Sequence, residues 1–569
     1  MSITERSSLS RSSDGYPAMA PARHLSRKVG GQWAVRLPTL AGLAFCAIVL
    51  WSLIVNLVAP HYGASTYNTG WALAASAAVL AIMGGAFSAV SKVAPLATRN
   101  RWLTTLAWVA VWSVLLAVQM RVSYAVRIPP DWDSYAIFWD ASGLATGAIE
   151  HVSPYFQINP NNLLLTLLLA SYFEYVLSLG FSDLSMATAF LNGIILFAGT
   201  ILTYYATRML GGRKAAAFSL IPCTALLVLS PWATTFYSDT TSVLFTSLIL
   251  CLLVRARRTN KATVRILLWV LAGFAAAVGY GIKPTVIICL VAAAITALCL
   301  LPARKSAASL LLGIMIVGGS FYGGHKLIAH MERNNSAVNF DLQSNPVAMN
   351  PGHFLKVGSQ STQGPYGRFY GAYNQRDYLD TVRVKGSEAK LRAGLAVYAD
   401  RVSDMGPLGY TAFLNNKLAW VMGDGSFFTW GEGRVTSDNF ISQQPSDQAI
   451  QDLFGNKRPN HQWMMSIWQG TWFVVLSLVA APLLLRTRSL MRPEVSAIRI
   501  ALLGLIVFLM LFEARARFLY LYAPYFIVLA SLSYPVLVEV VGRRCRVRYG
   551  RNTEAGSARH PAGLPRLTR

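Results

Sequence analysis

Apolar runs of about 20 residues, separated by short polar or basic stretches, recur along most of this chain. A helix needs roughly 20 mostly apolar residues to cross the hydrocarbon core of a bilayer. Spans are predicted at 37–58, 70–92, 102–121, 184–207, 215–232, 239–255, 264–279, 284–302, 307–326, 466–486, 495–513 and 519–541. Two long polar stretches interrupt the series, 122–183 and 327–465. The second is rich in Tyr, Trp, Gly and Asn, unlike a linker, and reads as a small folded domain. The expected fold is an all-α polytopic membrane protein of about twelve transmembrane helices. Interfacial helices are expected in the first outer loop, and the external domain is expected to be α or α+β.

Residues 161–180 are also apolar enough to span, but they carry Asn161, Asn162 and Glu174. If they crossed, every later basic loop would change sides. Lys92, Arg99 and Arg101, then Arg208, Arg213 and Lys214, then Arg255, Arg257, Arg258 and Lys261, then Arg304 and Lys305, and then Arg486, Arg488 and Arg492 all fall in alternate loops. The positive-inside rule puts such loops in the cytoplasm. The 161–180 segment is therefore predicted to lie in the outer interface. The outer face then receives 122–183, 231–239, 280–283, 327–465 and the turn 512–518.

Composition agrees with a membrane protein: 54% of the 569 residues are hydrophobic and 13% charged, against about 25% charged in soluble domains. The net charge of +25 is concentrated in short loops, which argues against nucleic acid as a partner. Residues 1–36 and 542–569 are basic and polar and read as cytoplasmic tails flanking membrane modules 37–326 and 466–541. The protein is thus expected in the plasma membrane, with both termini inside and lipids as neighbours. Of six cysteines, five lie in apolar runs and none has metal-ligand spacing.

The stretch 127–162 holds four acids, Asp131, Asp133, Asp140 and Glu150, in an acid-poor chain. Carboxylates near lipid are costly and tend to be functional. Asp131 and Asp133 follow Pro129-Pro130, and in extended chain they would share one face. One would act as a general base and the other orient it or bind a cation. Asp239 ends the second outer loop and could line the same cavity, or cap the next helix. Lys283 sits on the outer side between two spans, against the charge rule, and could hold a phosphate. Arg515 and Arg517 break the same rule and could grip a phosphate or pair with Glu513. Tyr520 is a boundary aromatic nearby. His151, His353 and His461 form no HxxxH or HExxH pattern. No nucleotide-binding motif occurs in a strand–helix context.

The layout resembles the multi-pass C-fold glycosyltransferases, which take sugars from polyprenyl-phosphate carriers. The likeness covers most of 100–541. It rests on Asp133 with SYAIFWDASGLATG, on Pro160-Asn161-Asn162 before the interfacial helix, on the loop Arg208 to Arg213, and on Pro231 to Asp239. IKPT (282–285), PGHFLKVG (351–358), YGAYNQRD (370–377), DGSFFTWGEG (424–433) and EARARFLYLYAP (513–524) resemble a Gram-positive and actinobacterial branch of integral membrane proteins. Here Asp131-Trp132-Asp133 stands where many relatives have Asp-Glu or a single Asp.

The resemblance implies an inverting hexosyl or pentosyl transferase acting on the outer face. A polyprenyl-phosphate sugar is the donor, and an envelope polymer, lipid or protein is the acceptor. Asp133 is the first candidate for the base and Asp131 the second. Lys283, Arg515 and Arg517, or a divalent metal ion, would meet the charge of the leaving phosphate. Asp239, Asn161, Asn162, Tyr520 and His353 are the further substrate-binding candidates. The alternative is a transporter or flippase of an amphiphilic envelope precursor, which predicts inverted repeats not visible in this sequence.

Overall fold

A computed structural model describes residues 29–300, 307–432, 439–485, 487 and 489–557. Three helices open the chain: α1 (Val29–Val58), α2 (Thr69–Arg99) and α3 (Arg101–Ala125). The loop predicted to be the first outer one then folds as α4 (Trp132–Thr146), a single turn α5 (Tyr155–Ile158) and α6 (Leu163–Ser178). Next come α7 (Leu184–Cys223), α8 (Ser238–Arg258), α9 (Ala262–Ile282), α10 (Ile287–Leu300) and α11 (Ala307–Arg333). The long polar segment predicted to be external, hereafter the outer segment, holds α12 (Pro351–Gly358), strands β1 (Ser361–Gln363) and β2 (Arg368–Tyr370), α13 (Gln375–Arg383), α14 (Ser387–Met422), α15 (Thr429–Glu432) and α16 (Pro445–Phe454). The chain returns through α17 (His461–Ala480), α18 (Pro493–Leu511), a short α19 (Arg517–Tyr520) and α20 (Ala523–Ser557).

Ten helices among the described residues are long and apolar enough to cross a membrane, against the expected twelve or so. The difference has a physical reason. One candidate, Leu184–Thr234, runs 51 residues, or about 77 Å of helix against a hydrocarbon core of about 30 Å. It is broken at Gly212 (φ 81, ψ −174), within the loop predicted between two spans. The predicted span 284–302 is instead a shorter apolar helix, Pro284–Leu300. The segment 161–180, predicted to be interfacial, supplies α6, which is absent from the candidate spans and packs along α4.

The predicted tails lie mainly outside the described residues. Where they are described, helix takes their place: α1 begins at Val29 and α20 continues to Ser557. Arg304, Lys305, Arg486 and Arg488 are also outside the described residues. The outer segment contains helices and one antiparallel pair, with Ser361 opposite Tyr370 and Gln363 opposite Arg368. It shares its core with the bundle. Trp420, Phe427, Phe428, Phe440 and Phe454 belong to one buried cluster with Phe45, Trp472 and Phe526 of the membrane helices.

In lipid, helices gain little from burying apolar surface against one another, so close backbone approach matters more. At Gly273 of α9 a Cβ would stand 2.4 Å from the Val317 carbonyl oxygen of α11. That contact holds α9 in place, and Lys283 follows directly on its end.

Candidate active site

Asp133 owes its position to a helix start. Asp131 caps α4: its Oδ1 accepts the Trp132 N–H at 2.8 Å, and the Ser134 hydroxyl donates to the Asp131 carbonyl at 2.6 Å. Trp132 has φ 51, which costs a non-glycine residue about 1–2 kcal/mol. This turn separates the two acids. The extended Asp131-Trp132-Asp133 arrangement, with both side chains on one face, is therefore corrected. Asp131 serves the backbone, and Asp133 projects from the first helical turn. There its Oδ2 accepts the Tyr237 hydroxyl at 2.8 Å.

Asp239 is placed by the start of α8. The Tyr237 N–H donates to Thr240 Oγ1 at 3.1 Å, and that hydroxyl donates back to the Tyr237 carbonyl at 2.9 Å. Asp239 is thus inside the first turn rather than capping it, and it has no solvent exposure. Lys283 terminates α9, where its N–H closes on the Gly279 carbonyl at 2.8 Å before Pro284. Its Nζ stands 2.6 Å from Asp239 and 4.6 Å from the centre of the Phe518 ring. Arg517, at the start of α19, brings Nε to 3.9 Å from the other Asp239 oxygen and lies 5.1 Å from the Tyr237 ring centre. Arg515 pairs with Glu513 at 3.3 Å.

Five residues from four separate parts of the chain, Asp133, Asp239, Lys283, Arg515 and Arg517, therefore gather at one end of the bundle. Burial sets their electrostatics. It pulls the Lys283 ammonium below its ordinary value, and Asp239 opposes that pull. It pushes Glu513 up to about 7 against Arg517 and pulls Arg515 down to about 9. On Arg517 burial also works against the charge, but Tyr237, Asp239 and Asp133 outweigh it and raise the pKa. Tyr237 is raised well above the phenol value, first by burial and then by Asp133, so it stays a hydrogen-bond donor.

The other candidates separate into two groups. Asn162 is buried, and its Nδ2 donates at 2.6 Å to Tyr155, a phenol close enough to Asp133 to interact with it. Asn161 is exposed beside it and donates to Asn162 at 3.2 Å. Tyr520 does not face the cluster. Its hydroxyl donates to Ser230 at 2.7 Å, and its ring stacks on Trp232. His353 lies within the outer segment, with Nδ1 3.0 Å from Thr381 Oγ1 and Lys356, Asp377 and Lys390 as charged neighbours. Sequence reasoning missed Tyr155 and Tyr237 as partners of Asp133. Tyr237 lay inside the Pro231–Asp239 match, but tyrosine at a membrane boundary is too common to stand out.

The residues present do not form an all-protein cage for a resident divalent metal. Such ions want several oxygen ligands. Asp239 is already held by Lys283 with Arg517 near, and Asp133 accepts from Tyr237. Among the described residues no three His, Cys, Asp or Glu side chains gather as ligands. The arrangement offers one oriented carboxylate able to take a proton and three cations able to face an anion.

A family model described as "conserved hypothetical integral membrane protein" matches residues 40–538. The chain belongs to this family. It is a multi-pass integral membrane protein. No curated protein matches it. Among solved structures, the archaeal oligosaccharyltransferase AglB from Archaeoglobus fulgidus, in complex with an inhibitory peptide and a dolichol-phosphate, is 14% identical with a TM-score of 0.40. That match covers 82% of this chain and 53% of AglB, so the chain spans about half of AglB's length. ArnT from Cupriavidus metallidurans bound to undecaprenyl phosphate is 13% identical with a TM-score of 0.31, over 75% of this chain and 78% of ArnT.

Proposed function

We propose that this protein is a membrane glycosyltransferase that moves a hexosyl or pentosyl unit from a polyprenyl-phosphate carrier to a cell-envelope acceptor at the outer face. The observation that carries the reading is the convergence of Asp133 with Lys283, Arg515 and Arg517 at one end of the bundle. The motif resemblance of 133–162, 208–213 and 231–239 supports it.

The chemistry assigned to these residues is a direct displacement with inversion. An acceptor hydroxyl attacks the anomeric carbon while Asp133, oriented by Tyr237, takes its proton. The bond from that carbon to the carrier's phosphate oxygen breaks, and the electron pair leaves with the phosphate. Lys283, Arg517 and Arg515 meet the charge that grows there. In a water-poor pocket such preorganised cations act more strongly than in solution. Asp239 holds Lys283 and Arg517 in place.

The test is sugar transfer from a polyprenyl-phosphate donor in proteoliposomes. Wild type is expected to transfer sugar and release polyprenyl phosphate. Asp133→Asn is expected to lose transfer by about 10²–10⁴-fold, the usual worth of a general base. Movement of an intact carrier across the bilayer, with no phosphate carrier released, would instead establish a flippase. Undiminished transfer by Asp133→Asn would remove Asp133 from the base's role.

A further inference from the structure

Three of the motif segments, 351–358, 370–377 and 513–524, meet around a residue with no sequence signal of its own, Lys417. Its side chain is fully buried in α14. The ammonium donates to three backbone carbonyls, those of Gly358 (2.7 Å), Phe512 (2.7 Å) and Met510 (3.1 Å). An ammonium has three N–H donors, so three acceptors use them all. Met510 and Phe512 lie at the C-terminal end of α18, where helix carbonyls lack partners and the dipole favours a cation.

The backbone around this lysine is packed so closely that side chains are excluded. At Gly358 a Cβ would stand 2.3 Å from the Leu511 carbonyl oxygen. At Gly371 (φ +72) it would stand 2.6 Å from Lys417 Cε. The Gly371 carbonyl in turn accepts the Ala514 N–H at 2.8 Å. The chain from Met510 to Ala514 is thus held by α12, by the exit of the β1–β2 hairpin and by α14. Arg515 and Arg517 follow at once.

A buried ammonium is a costly way to fill space. Burial pulls Lys417 down to about 7, with Glu513 the acid opposing that pull. An apolar side chain would fill the volume at lower cost but could not hold three carbonyls.

We propose that Lys417 is a positioning residue that clamps the turn 512–517 to the outer segment and so fixes Arg515 and Arg517 for the carrier's phosphate. This rests on the reading of the site as a polyprenyl-phosphate pocket. The donor grip then depends on an element far from it in sequence.

The test measures affinity for undecaprenyl phosphate, with thermal melting in parallel, on full-length protein in nanodiscs. Lys417→Met cannot donate to the carbonyls, and the folded variant is expected to bind undecaprenyl phosphate about tenfold more weakly or worse, as for a misplaced charge-assisted contact. Lys417→Gln keeps two N–H donors and is expected to recover part of that loss. It also serves as the readout if the methionine variant does not fold. Lower melting temperature with wild-type affinity in either folded variant would make Lys417 a helix cap only and overturn the proposal. Wild-type protein that fails to bind the probe would overturn the polyprenyl-phosphate reading itself, and this inference with it.

Discussion

Asp377 of the outer segment and Asp239 of the membrane bundle are both buried acids facing arginine, but their surroundings differ. Asp377 receives two Arg401 nitrogens at 2.8 and 2.9 Å and the Asn374 amide at 2.8 Å. These partners outweigh burial and hold its carboxyl below the ordinary range. Arg401 also donates to the Lys356 carbonyl at 2.7 Å, so one guanidinium joins α12, α13 and α14. Asp239 has Lys283 at 2.6 Å, but Arg517 at 3.9 Å is beyond hydrogen-bond range. A saturated pair fixes backbone. Asp239 instead holds Lys283 directly with Arg517 farther off, so two cations share one acid at the end of the bundle.

The comparison can be broken in three ways. The largest effect is expected from Arg401→Met, which leaves Asp377 buried without its guanidinium. Loss of one partner of such a pair costs about 3–5 kcal/mol. Denaturant unfolding should register that loss, while undecaprenyl phosphate affinity of the folded protein stays at the wild-type value. A fall in affinity would mean that the saturated pair is also part of the ligand site.

The next effect is expected from neutralising both partners at the site, Asp239→Asn with Lys283→Met. Removing a buried pair together is often neutral for stability. The double variant should melt near wild type and bind undecaprenyl phosphate at least tenfold more weakly, about 1.4 kcal/mol. Equal affinity would reduce the Asp239–Lys283 pair to a structural contact.

The third concerns pH. Burial, then Lys356, pulls His353 down to about 4. Because its folded pKa lies below the unfolded value, the unfolded chain binds a proton that the fold refuses. Its contribution to stability is therefore present above about pH 6.5 and is lost as pH falls toward 4, by up to about 3 kcal/mol. His353→Gln should flatten the melting temperature over that window relative to wild type. An unchanged slope would place the pH sensitivity elsewhere.

Much of the bundle was legible because a membrane span is a local property of an apolar run. The break at Gly212 coincided with a predicted loop, and α6, which begins only after Asn161 and Asn162, runs 16 residues, short of the roughly 20 that a span needs. The principal site charges were legible for the opposite reason. Asp133, Asp239, Lys283, Arg515 and Arg517 are charges at membrane boundaries, where loss of solvation makes them expensive and therefore conspicuous. Tyr520 and His353 looked similar in sequence, but packing gave them Ser230 and Thr381 as partners instead.

The sequence alone determined that the chain crosses the membrane many times and which ionisable groups sit where its helices end, since both follow from the cost of polarity in lipid. Only the tertiary structure decided which of those groups meet. The left-handed turn at Trp132 separates the roles of two acids two residues apart. Lys417 reaches α18 across 93 residues of chain. A side chain's direction depends on a single backbone dihedral and its partner on a distant segment, and neither is written in the local pattern of apolar and polar residues.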